Sequence, residues 1–122
     1  MKKIGRLGQS IARQIHKKCA NIYITNDHIV HISNVHKKEL EQIGMSAFDY
    51  VKFVVDNYNQ IRQGSADSLL LVVYNDKLSH TAAIALNYSI KDGFWEVKTA
   101  QPRRASEIKK KKLLWWDCPS PK

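Results

Sequence analysis

The chain is poor in the residues that staple small folds. Of its 122 residues only two are cysteine, Cys19 and Cys118. They stand almost a full chain length apart, and neither lies in a Cys-x-x-Cys. That excludes a Cys-rich metal site and points to two free thiols in a reducing compartment, the alternative being one bridge between the chain ends. No apolar run approaches the roughly 20 residues that cross a bilayer. Met1 to Ala20 contains no continuous apolar stretch, so it does not read as a secretory signal. Proline and glycine are sparse, at three and five residues, and no low-complexity tract or repeat divides the sequence. Missing too are a Gly-rich phosphate loop, a Gly-x-Ser-x-Gly elbow and a His-Glu-x-x-His helix. The acids are scattered and form no pattern suited to a two-metal site.

What the chain does have is positive charge. The formal net charge is +9 and the hydrophobic fraction is 43%, so this is a core-forming chain and not a disordered one. The excess lies at the ends. Residues 1–20 hold six Lys/Arg and no acids, and residues 101–122 hold seven with two acids. Residues 21–100 hold seven Lys/Arg against nine acids. A near-neutral body with cationic ends predicts a polyanionic partner, and RNA fits best. The bland alternative is a solubilising charge.

A single domain over 1–122 fits the length. Ile4, Leu7, Ile11 and Ile15 fall at helical spacing and predict a basic helix over 2–18. Asn21–Thr25 predicts a short strand that could form an edge. A helix capped by Asn26 or Asp27 follows, and a further helical piece over His36–Ile43 stops at Gly44. Residues 46–63 predict the clearest helix, opened by Ser46 with Asp49 and closed at Gly64. Leu69–Tyr74 is a continuous apolar run and predicts a central buried strand. His80–Ile90 and Phe94–Ala100 flank Lys91-Asp92-Gly93 as a hairpin, with Pro102 interrupting the second arm. Ala105–Lys112 reads as basic helix or loop, and Leu113–Trp116 as a returning strand. The layout predicted is α+β: N-terminal helices packed on a three- to four-stranded antiparallel sheet.

Without metal ligands, chemistry falls to His, Lys, Arg, Thr, Ser and Tyr. That inventory suits cleavage of RNA by its own 2′-hydroxyl. The reaction needs a base, an acid for the leaving 5′-oxygen, and cations or hydroxyls around the phosphorane. His28, His31 and His36 crowd together. On one helix His28 and His31 share a face, while His31 and His36 diverge by about 140°; a break near Ser33-Asn34 would be needed to join the latter pair. Strand alternation puts Trp95, Val97 and Thr99 on one face, with Thr99 the last residue on the core side. Arg103 and Arg104 follow and suit a phosphate. Lys109, Lys110, Lys111 and Lys112 precede Trp115 and Trp116, a basic run beside aromatics that suits RNA phosphates and stacked bases, with at least one tryptophan expected in the core.

The stretches HIVHISNVHKKEL, FWEVKTAQPRR, KKKK and LLWW, with the amphipathic helix between, resemble the phage-associated nucleases of the barnase–EndoU–colicin–RelE superfamily. The resemblance covers about residues 20–116. It implies a small RNase fold of N-terminal helices and a four-stranded antiparallel sheet. On that reading 21–116 form a nuclease-like core, 1–20 a basic helix or linker, and 117–122 a tail. It places His31 and His36 in the family's histidine motif, Thr99 at the strand-end hydroxyl, and Arg103 or Arg104 at the basic position after it. One of Lys109–Lys112 matches the basic residue before the last strand. His28 competes with His31 as base. The function implied is a metal-independent endoribonuclease toxin acting on tRNA or other structured RNA, without a cofactor. An acidic immunity protein is its expected partner, and the membrane is not. Action is expected in the cytoplasm, reached directly or as part of a longer secreted or phage protein. This reading requires both basic ends and the imidazoles to converge on one groove.

Overall fold

The computed structural model describes residues 1–64, 68–74 and 80–117, with only the backbone described for 80, 81 and 101–105. The elements are β1 (Lys2–Leu7), α1 (Gln9–Gln14), β2 (Ala20–Ile24), α2 (Asn26–Val35), α3 (Lys37–Ile43) and α4 (Ala47–Asn57). They continue as β3 (Gln60–Gln63), β4 (Leu69–Val73), β5 (His80–Ser89), β6 (Phe94–Arg104), α5 (Ala105–Lys109) and β7 (Leu113–Trp116).

The architecture is α+β, but the sheet is larger than the sequence predicts. Among the described residues seven strands form one sheet in the order β1-β2-β6-β5-β4-β3-β7. It is mixed: β2 and β6 run parallel, and the other neighbours run antiparallel. Two strands, β1 and β3, escaped the periodicity reading. The basic N-terminus opens as β1, not as a helix over 2–18. A register shift between Lys3 and Gly5 leaves Ile4 as an extra residue, so Ile4 and Leu7 both turn inward although they stand three apart. That bulge imitates helical spacing. Gly5 lies so close beneath the Val55 side chain that a Cβ would collide with it. The strand β2 is interior, not an edge, because β1 pairs with its outer side. The long helix expected over 46–63 ends at Asn57. Tyr58 turns to extended backbone, φ −58° and ψ 141°, and Ile61 belongs to β3.

The helix α4 begins where the cap chemistry predicts: Ser46 Oγ accepts from the Asp49 N–H at 3.1 Å. Its Ala47, Tyr50, Val51, Val54 and Val55 are buried as one stripe. Full burial of Val51 and Val54 contributes roughly 1.5–3 kcal/mol each. Gly44 caps α3 with a left-handed φ of 68°, as its position predicts. The strand β4 is buried on both faces. Leu69 and Leu71 join the main core, shared with Ile22, Ile24, Ile32, Val97 and the α4 stripe. Leu70 and Val72 join a smaller core with Ala83 and Ile108 of α5. Helices α2 and α4 thus cover one face of the sheet, and α5 covers part of the other. The hairpin predicted around Asp92-Gly93 is present: the Gly93 N–H donates to Ser89 O at 2.7 Å, and Gly93 has φ 72°. Its second arm runs through Pro102 to Arg104 instead of stopping there. Trp95 is buried, and its indole N–H donates to the Lys18 carbonyl at 2.8 Å, fixing the segment that leads into β2.

Candidate nucleic-acid interface

The decisive local feature is a second bulge. In the β5–β6 ladder Leu86 faces Val97 and Ala85 faces Thr99, so Lys98 is an extra residue. Before it, Trp95 and Val97 point to the main core; after it, Ala100 does. Thr99 therefore does not continue the core face of Trp95 and Val97. It lies opposite Ala85, which packs with the smaller core, and so on the other face of the sheet.

That face, at the β1–β2–β6 end, carries functional side chains in register. Lys3 stands opposite Tyr23, and Arg6 opposite Asn21, whose Oδ1 accepts from Arg6 Nη1 at 3.2 Å. Tyr23 and Phe94 meet with ring centroids 4.8 Å apart and planes tilted by 59°. Beyond Phe94 stand Glu96 and Lys98, with Lys98 Nζ 3.5 Å from Glu96 Oε1. Lys3, Arg6 and Lys98 are exposed, and Tyr23, Phe94, Glu96 and Thr99 are half-buried. Three cations face one carboxylate around an aromatic pair, which is a cationic surface with rings on which a base can stack.

His28 joins this group from the first turn of α2. Thr25, not Asn26 or Asp27, is the N-cap: its Oγ1 accepts from the His28 N–H at 3.2 Å. The same oxygen lies 3.1 Å from His28 Nδ1, and Glu96 Oε2 lies 3.5 Å from that nitrogen. A hydroxyl and a carboxylate beside Nδ1 favour the tautomer with its proton there, which leaves Nε2 as the basic nitrogen. One carboxylate thus holds an imidazole on one oxygen and an ammonium on the other.

The other sequence-derived residues are dispersed. His31 is exposed on α2. His36 is only 8% exposed and forms the junction between α2 and α3. The break lies at His36 rather than near Ser33-Asn34. On α2 His28, Ile32 and His36 recur every fourth residue along the packed stripe, and His31 points about 100° away from Ile32. The structure does not gather His31 and His36 as a pair. Arg103 and Arg104 stand opposite Thr81 and His80 in the ladder, and their side chains lie outside the described residues. Lys109 ends α5, and Lys110 to Lys112 connect it to β7. The ends do not converge. With β1 and β7 on opposite edges of a seven-stranded sheet, they lie six strand spacings apart, on the order of 29 Å. The N-terminal charges share a sheet face with Glu96, which His28 contacts from the start of α2; the Lys109–Lys112 run lies toward the far edge. Cys19 is a free, exposed thiol, and Cys118 lies outside the described residues. No described helix is long and apolar enough to cross a membrane.

Sequence reasoning missed Thr25, Glu96, Lys3, Arg6, Tyr23 and Phe94. Glu96 and Lys98 gave a signal, being two apart on one strand face, but the partner at His28 is non-local. Compared with family models, curated proteins and solved structures, the chain matches none of them significantly.

Proposed function

We propose that the chain is a metal-independent endoribonuclease that cuts tRNA or another structured RNA by attack of a 2′-hydroxyl on the adjacent phosphorus. The reading is carried by the His28–Thr25–Glu96–Lys98 cluster on a cationic, aromatic sheet face. His28 Nε2 takes the 2′-hydroxyl proton, and the new imidazolium is stabilised by Glu96. The 2′-oxygen bonds to phosphorus, the bond to the 5′-oxygen breaks, and Lys98 supplies that oxygen with a proton. The products are a 2′,3′-cyclic phosphate and a 5′-hydroxyl. Thr99, Lys3 and Arg6 take up the charge of the phosphorane and of the neighbouring phosphates. If the chain acts as a toxin, an acidic immunity protein covers this same face.

The test is incubation of the chain with total tRNA in EDTA. Cleavage should persist, fall by on the order of 100-fold or more in His28→Ala, and change little in His31→Ala. Unimpaired cleavage by His28→Ala refutes the assignment. Two observations favour a second reading, a nucleic-acid-binding module without catalysis: the face holds one imidazole instead of the expected pair, and the two cationic ends lie at opposite edges of the sheet instead of in one groove. Tight, salt-sensitive binding without any cutting would establish it.

A further inference from the structure

A cleft lies near the opposite edge, beside the last residue of α5 and apart from the His28 face. It has a volume of about 600 Å³ and is lined by Asn59, Gln60, Arg62, Tyr74, Lys109 and Trp116, together with Val73. That size suits a small molecule. Arg62 is its unusual member. Only 8% of it is exposed, and among the described residues it has no ion-pair partner. It is held by uncharged groups: Nε donates to Gln60 Oε1 at 2.9 Å and Nη1 to the Lys111 carbonyl at 2.8 Å. These bonds use two of the five guanidinium donors and fix the plane of the group. Burial pushes the Arg62 guanidinium below its ordinary value, and the neighbouring Tyr74 opposes this. An anion in the cleft would replace the lost solvation. Lys109 adds a second cation at the rim. Trp116 is 48% exposed, on the opposite side of β7 from Trp115, which packs on Tyr58 at 5.7 Å. An exposed indole beside two cations suits an aromatic ligand that carries a phosphate.

We propose that this cleft binds a nucleoside monophosphate group, with the phosphate on Arg62 and Lys109 and the base stacked on Trp116. That chemistry occurs in a free mononucleotide and at the phosphorylated end of an RNA strand.

Calorimetric titrations with AMP, adenosine, inorganic phosphate and a 5′-phosphorylated hexaribonucleotide test the assignment. The RNA is offered to the His28→Ala chain so that cleavage does not intervene. AMP should bind, with adenosine and phosphate each at least about tenfold weaker. Arg62→Gln would destabilise β3, so the surface variants Lys109→Gln and Trp116→Ala carry the test, each weakening AMP by about tenfold. Hexanucleotide binding that is lost in Trp116→Ala identifies an RNA end as the source; binding of AMP alone identifies the free nucleotide. The proposal is overturned if neither AMP nor the hexanucleotide binds below about 1 mM. It is equally overturned if adenosine binds as tightly as AMP, or if both surface variants bind like the parent chain. None of these outcomes depends on whether His28 supports cleavage.

Discussion

Removing the hydroxyl of Tyr50 should produce a stability defect that disappears with rising pH. Tyr50 is buried on α4, and its oxygen accepts from the Ala83 N–H of β5 at 3.2 Å. In Tyr50→Phe that buried N–H loses its acceptor, at a cost of about 1–3 kcal/mol at neutral pH. Burial also pushes the phenol up to about 12, with the Ala83 hydrogen bond opposing the rise. The folded state therefore holds the phenolic proton more tightly than the unfolded state, whose value is near 10. Below pH 10 both states keep the proton, and the stability of the parent chain is intact. Between pH 10 and 12 only the unfolded state releases it, and the parent chain loses on the order of 2–3 kcal/mol. The variant has no such group. The difference in urea unfolding free energy should be constant from pH 7 to 9 and then shrink, closing or reversing sign as pH approaches 12. Tyr58, also raised by burial, is present in both chains and cancels in the difference. A difference that stays flat to pH 11.5 refutes the placement of Tyr50 against β5.

Gly5→Ala should cost about 1–3 kcal/mol in chemical denaturation, because the new methyl meets Val55. Combining it with Val55→Ala should recover part of the loss, and strict additivity would show that β1 does not pass beneath α4. Ser46→Ala should lower stability by about 1 kcal/mol through the α4 cap, read as a shift in urea midpoint without a change in slope. For tRNA binding, Lys3→Gln with Arg6→Gln should reduce the salt dependence by about two phosphate contacts, measured as the slope of log affinity against log salt. An unchanged slope would remove the β1 edge from the interface.

The elements legible in the sequence are those fixed by short-range rules. The Ser46 cap, the Gly44 stop, the Asp92-Gly93 turn and the doubly buried β4 run all formed where local chemistry puts them. Illegible were features in which one extra residue changes the phase of a strand. At Ile4 the extra residue makes a strand resemble a helix. At Lys98 it moves Thr99 from the core face to the open one. Ile61 misled for a different reason: it extends the apolar stripe of α4 in phase, although Tyr58 has already left the helix. The pairing of β2 with β6 joins segments about seventy residues apart, and no local pattern announces it.

The same topology changes what the terminal charge means. One groove gripping a polyanion from both ends would need β1 and β7 close together, and the sheet order puts them at its two edges. Each cationic end instead meets a different set of neighbours. Lys3 and Arg6 stand beside an aromatic pair and a carboxylate-held imidazole, an arrangement suited to a backbone phosphate next to a reacting ribose. Lys109 stands beside a desolvated arginine and an exposed indole, suited to a single phosphate with its base. Charge neutralisation alone would make the two ends interchangeable. Their neighbours predict otherwise: substitutions at Lys3 and Arg6 should affect cleavage and leave AMP binding intact, and substitutions at Lys109 and Trp116 should do the reverse. If both sets changed both activities equally, the charge would be acting as a diffuse field, and neither local assignment would stand.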